Sequence, residues 1–93
     1  MTGRQRRHLR ALGHHLNPVV QVGHEGVTDA LVKQTDEQLE AHELIKVKIG
    51  EGDRHEAAES LAARCNAELA QVLGRTALLY RRRKEKPEIE LPE

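Results

Sequence analysis

Apolar positions in this chain recur first at helical spacing, then at strand spacing, and the two periods alternate to the end. Leu9, Leu12 and Leu16 predict a helix over residues 4–16, with Thr2 as its cap and the arginines mostly off the leucine stripe. Asn17-Pro18 ends it, because a residue before proline avoids the helical region. Val-Val-Gln-Val at 19–22 predicts a short strand, followed by the loop Gly23-His24-Glu25-Gly26. Thr28 opens a second helix over about 28–42, with Asp29 in its first turn and Val27, Leu31 and Leu39 on its buried side. The clearest strand is 44–49, where Ile45, Val47 and Ile49 alternate with Leu44, Lys46 and Lys48. A turn at 50–53 leads to a third helix capped by Asp53, with Ala57, Ala58, Leu61, Ala62 and Cys65 on one face. Residues 67–73 and 76–81 predict two strands joined at Gly74-Arg75.

The order α, β, α, β, α, β, β predicts an α/β fold. Strands that alternate with helices imply parallel pairing through right-handed crossovers, and the last two strands close as an antiparallel hairpin. The expected architecture is a four-stranded mixed sheet with flanking helices. Residues 1–86 read as one domain. The segment beyond Arg83 is charged and punctuated by proline, which predicts an extended, mobile chain with 87–93 as a flexible tail.

Composition narrows the core. There is no Phe or Trp and a single Tyr, Tyr80, so aliphatic residues must do the packing. Tyr80 reads as a strand residue at the sheet edge. The one cysteine, Cys65, excludes an internal disulfide and lies on the apolar stripe of helix three as a core residue. A reducing, cytoplasmic setting fits. No apolar run approaches the ~20 residues of a membrane span.

Charge changes the picture more. The formal net charge is zero, but residues 1–24 hold four arginines and no acid, while 25–70 hold eleven acids against five bases. Residues 71–86 return to six bases and one acid, and 87–93 add three acids. Such segregation suits one face for an anionic partner and another turned away from it. The bases fall into three groups: Arg4, Arg6, Arg7 and Arg10 on helix one; Lys46 and Lys48 on one face of a strand; and Arg75, Arg81, Arg82, Arg83, Lys84 and Lys86 in and after the last hairpin. Each group also fits plain solvated surface. Together they favour a phosphate-binding surface.

The Gly23–Gly26 loop stands between a β-branched strand and a capped helix. Glycines permit close approach of the backbone, and amides at a helix N-terminus suit phosphate. The same four residues also describe an ordinary turn. With only Tyr80 available, stacking of bases on several aromatics is poorly supported, which leaves backbone gripping.

Catalysis has little support. Of the six histidines, His14 and His15 are adjacent, His8 and His15 are seven apart, and His24, His42 and His55 are isolated, so no metal-ligand spacing appears. The one serine, Ser60, lies inside a helix. The expectation is a protein that is not an enzyme and takes no metal, cofactor or small-molecule substrate.

Four separated blocks then carry a family resemblance: residues 6–12 (RRHLRAL), 16–28 (LNPVVQVGHEGVT), 42–49 (HELIKVKI) and 71–81 (QVLGRTALLYR). The chain resembles the CRM domain (chloroplast RNA splicing and ribosome maturation), in particular its stand-alone bacterial YhbY-like form, over about residues 4–92. The resemblance implies an α/β sandwich similar to the C-terminal domain of translation initiation factor 3. It implies RNA binding through Gly23, His24, Glu25 and Gly26, with Lys46 and Lys48 on the neighbouring basic strand. It also implies association with ribosomal RNA in large-subunit precursors, as for bacterial members, whereas plant relatives act in intron splicing. One departure stands out: family loops often hold small polar or basic residues between the glycines, and here Glu25 places a carboxylate where phosphate is expected. The full candidate set adds Arg4, Arg6, Arg7, Arg10, Arg75 and Arg81, on a monomer that acts as a stoichiometric binder. Two other readings stay open: an adaptor whose acidic middle contacts a basic ribosomal protein, and a small metal-dependent enzyme on the histidines.

Overall fold

Each helix starts where a side chain can satisfy its free amides. In the computed structural model, which describes residues 1–93, α1 spans Gly3–Gly13 behind a reciprocal cap. Thr2 Oγ1 accepts from the Gln5 amide at 3.1 Å, and Gln5 Oε1 accepts from the Thr2 amide at 3.0 Å. Thr28 caps α2 (Asp29–His42) through the Leu31 amide, and Asp53 caps α3 (Arg54–Arg64) through the Glu56 amide. The strands are β1 (Pro18–Val22), β2 (Leu44–Ile49), β3 (Glu68–Leu73) and β4 (Thr76–Tyr80).

The sheet order is β1-β2-β4-β3. β1 and β2 pair in parallel, whereas β4 is antiparallel to both β2 and β3. The crossover through α3 therefore skips one position, and the hairpin strand β4 fills it. This makes β4 a central strand. Tyr80 is accordingly buried and not at a sheet edge, contrary to the sequence expectation. Burial foremost, with the nearby Glu43 charge, pushes its phenol pKa up.

The two sheet faces differ. On one, Val20, Val22, Ile45, Val47, Ile49, Ala77 and Leu79 pack beneath α2 and α3, with Leu39, Leu61 and Cys65 closing the main core. On the other, α1 contacts β3, β4 and β2 and covers a smaller cluster of Leu9, Leu44, Ala70, Leu78 and Tyr80. Leu44 is therefore buried too, although it shares a face with Lys46 and Lys48. α1 comes close because of Gly13: a Cβ there would lie 2.7 Å from Leu78 Cδ1. The helix ends at Gly13, short of the leucine spacing, because the chain must turn into β1 at Pro18. Of the predicted stripe only Leu9 is buried; Leu12 and Leu16 are 44% and 37% exposed.

Residues 81–93 form no helix or strand, yet this segment is anchored. Glu43 ends α2 at φ 61° and is 1% exposed. Its carboxylate accepts from the amides of Arg83 (2.9 Å), Glu88 (2.6 Å) and Ile89 (3.0 Å). Ile89 and Leu91 pack on the smaller cluster, and Gln5 Nε2 donates to Pro92 O at 3.0 Å. The mobile tail expected from composition is thus pinned by one buried acid and two apolar side chains. Burial alone would raise the pKa of Glu43. The three amides, with the Arg83 guanidinium, outweigh it and hold the carboxyl below its ordinary range.

This linkage has a definite sign. A depressed folded-state pKa adds stability above the unfolded value, near 4.3 as a rough reference, and the gain disappears as pH falls through the folded value. Glu43→Gln places an NH2 group against backbone donors and is expected to cost about 1–3 kcal/mol at neutral pH. Urea denaturation of both proteins across pH checks this: the difference should shrink under acid, where the wild-type carboxyl is itself protonated.

Candidate nucleic-acid interface

Strand direction brings three loops together. β1, β2 and β3 all finish where β4 begins, so the Gly23–Gly26 loop, the Gly50–Asp53 turn and the Gly74-Arg75 turn share one end of the sheet. Backbone bonds tie them: the Gly50 amide donates to Val22 O and the Ile49 amide to Arg75 O, each at 2.8 Å. Arg75 braces the same end, donating from Nε to Ile49 O (2.7 Å) and from Nη2 to Gly52 O (2.6 Å). Its main work is therefore internal.

Within the first loop, the Gly26 amide donates to Gly23 O at 3.0 Å, and Gly26 sits at φ +75°. The glycine is needed there because L side chains rarely adopt that region. Gly23 has no such conformation, and a Cβ there would meet nothing within 4 Å. His24 and Glu25 are exposed at the tip. His24 Nδ1 lies 2.9 Å from Glu51 Oε2, while Glu25 has no ion-pair partner. The N-terminus of α2 is already partly engaged within the chain. Thr28 accepts from Leu31, and Asp29 pairs with Arg64, which also donates to Val27 O. The side of the loop toward α3 is acidic, with Glu51, Asp53 and Glu56 lining a shallow groove beside Gly26. The Asp53 carboxyl is held below its ordinary value, chiefly by the Glu56 amide.

The other side is basic. Arg7 and Arg10 of α1, with His14 just past its end, form one wall of a groove of about 380 Å³ whose floor is the sheet. Two rows cross that floor. Lys46, Leu78 and Gln71 make one, and Lys48, Thr76 and Leu73 make the next, nearer the loops. Gln21 extends the second row on β1. Lys46 Nζ donates to His14 O at 3.3 Å, which fixes the ammonium beside the end of α1. Arg4, Arg6, Arg7 and Arg10 are all exposed. None of them takes part in the molecule's five ion pairs.

The third predicted basic group is used differently. The Arg81 side chain is 18% exposed and pairs with Asp36 and Glu40, donating also to Cys65 O at 2.9 Å. It lies past the far end of β4 and holds that strand end to α2 and α3. Arg83 is spent on Ala41 O, Lys86 O and Glu88. Arg81 thus does not join the groove, whereas Arg7, Arg10 and Lys46 line it and Lys48 stands on the same sheet face opposite Thr76. Gln71, Leu73 and Thr76 enter the groove without having been singled out in the sequence. No alternation rule marks them, because their place depends on β4 lying between β2 and β3. No three His, Cys, Asp or Glu side chains converge in a geometry that could hold a metal ion. No helix is long and apolar enough to cross a membrane.

Three helices on a four-stranded mixed sheet, with one basic and one acidic side to the loop end, define a small α/β domain with a polarised face. The chain belongs to the CRS1/YhbY (CRM) domain family, which it matches over residues 1–81. It is 46% identical to the protein named Probable RNA-binding protein YqeI of Bacillus subtilis (strain 168), covering 99% of each chain. It is 44% identical to Probable RNA-binding protein MJ0652 of Methanocaldococcus jannaschii, over 89% of this chain and 65% of that longer protein. The solution structure of the hypothetical protein SAV1595 from Staphylococcus aureus matches with a TM-score of 0.85 at 43% identity, covering 99% of each chain.

The two loop glycines should respond differently to substitution. Gly26→Ala is expected to lose about 1–2 kcal/mol of stability through its positive φ. Gly23→Ala should change stability by less than about 0.5 kcal/mol. Thermal or urea unfolding of the two variants separates them, and equal losses would contradict this assignment of roles.

Proposed function

We propose that this protein binds RNA as a stoichiometric factor and grips its backbone along the α1–sheet groove. The intended RNA is ribosomal RNA in precursors of the large subunit, and the protein acts as a cytoplasmic monomer. The observation that carries the reading is the gathering of unpaired cations. Arg7, Arg10 and Lys46 line one groove, with Lys48 one row further along the same sheet face, while Arg64, Arg81 and Arg83 are consumed by acids elsewhere. Unpaired cations at a groove attract phosphate and release its counterions. The names of the relatives support the same ligand class.

Gly23 fits this role through what it lacks. Neither conformation nor crowding within the chain requires glycine there, so its bare backbone leaves room for close approach of a ligand. The acidic strip on the α3 side keeps phosphate on the α1 side by repulsion. That strip also favours a second reading, in which a basic ribosomal protein docks beside Gly26, Glu51 and Glu56.

Electrophoretic or fluorescence titration with a ribosomal RNA fragment tests the first reading. With about six phosphates engaged, affinity should fall roughly a thousandfold between about 50 and 200 mM salt. Replacing Arg7, Arg10 and Lys46 together by Ala should reduce the logarithmic salt slope by about two to three. Arg81→Ala should leave the slope of the folded protein unchanged. A flat salt response in the wild type would overturn the reading.

A further inference from the structure

The groove floor contains more than phosphate binding needs. Leu73 is 68% exposed, the most open large hydrophobic residue of the chain, and it stands at the groove on the loop side. Leu78 lies beside it on the floor. Gln71 and Thr76 line the same space, and the side chain of neither is engaged in a hydrogen bond within the chain.

Gln71 and Leu73 reach that face through a defect in the strand. The β3–β4 register slips between Leu69 and Gln71. Ala70 packs beneath α1, so simple alternation would turn Gln71 and Leu73 toward the main core. The slip keeps Gln71 on the α1 face opposite Leu78, and Leu73 follows it opposite Thr76. Val72 in turn packs on the main core. Bulges of this kind re-aim side chains at binding sites.

We propose that the α1–sheet groove holds one unstacked RNA base, so that the protein selects single-stranded over duplex segments. The proposal rests on the RNA-binding reading and adds a base subsite to it. The base lies against the exposed side chain of Leu73, which substitutes for the missing aromatic platform, with the buried Leu78 closing the floor beneath it. The amide of Gln71 offers a donor and an acceptor to the base edge, a pairing well suited to adenine. Thr76 adds a hydroxyl that serves as either. Arg7, Arg10 and Lys46 at the rim then meet the phosphates on each side of that nucleotide. A volume of about 380 Å³ lies at the low end of the ~300–1,000 Å³ typical of ligand clefts. In a duplex the base is paired and stacked, and its face cannot reach Leu73.

The test uses the full chain and three probes of equal length: an oligoadenylate, an abasic ribose-phosphate oligomer, and the oligoadenylate paired with its complement. Salt slope reports phosphates, whereas the offset between probes at fixed salt reports the base. The oligoadenylate should bind tighter than the abasic oligomer by about tenfold or more at every salt concentration, with the same slope. Leu73→Ala, at an exposed position that leaves folding intact, and Gln71→Ala should each narrow that offset and keep the slope. Arg7→Ala should lower the slope for both single strands. Equal binding of the intact and abasic oligomers with a steep slope would overturn the base subsite and leave backbone gripping in place. Duplex binding as tight as single-strand binding would also overturn it. Absence of salt-dependent binding to any probe would remove the RNA reading along with the inference.

Discussion

An eleven-residue helix cannot cover one face of a four-stranded sheet, and that shortfall shapes the molecule. A six-residue strand runs about 20 Å, whereas a helix lying across it is roughly 10 Å wide. α1 crosses β3, β4 and β2 and buries Leu44, Leu78, Ala70 and Tyr80 beneath it. The rest of that face remains open on the loop side. There β2 changes character, from Leu44 to Lys46 and Lys48, since an uncovered position has no reason to be apolar. The groove is thus the uncovered strip, walled by the outer side of the helix that failed to fill it. Gly13 sets how low the helix sits over Leu78, and therefore how deep the strip becomes.

Electrostatics follows the same division. A chain with zero net charge presents a basic groove because its acids are committed elsewhere. Asp29 takes Arg64, Asp36 and Glu40 take Arg81, and Glu88 takes Arg83. Glu43 is buried as an acceptor for the C-terminal segment. α1 contains no acid and none of its arginines forms an ion pair, so their charge remains available to a ligand. Surface pairs of this sort contribute little stability each. Their larger effect here is to remove cations from one region and leave them in another.

Much of this was legible in the sequence, and the misreadings share a cause. Element order, the Thr28 and Asp53 caps, the core side of β2 and the Lys46–Lys48 face follow from local periodicity, which the chain obeys closely. Leu12, Leu16 and Tyr80 depart from the local pattern because their burial depends on where α1 docks and on β4 entering the middle of the sheet. Neither is written in local spacing. Arg75 and Arg81 differ from the arginines of α1 only through partners distant in the chain, Ile49 and Gly52 for one, Asp36 and Cys65 for the other. The slip after Leu69 hid Gln71 and Leu73, since one extra residue inverts the faces of a strand. The pinned C-terminal segment depends on a single buried carboxylate forty residues away from it in the chain.

Amide chemical-shift mapping during titration with a large-subunit ribosomal RNA fragment tests most directly whether RNA lies on the open half of the α1 face. The largest shifts are expected at Arg7, Arg10, Lys46, Lys48 and Thr76 and through Gly23–Gly26, with Asp36, Glu40 and Arg81 silent. Shifts confined to α2 and α3, or to the segment after Arg81, would contradict it.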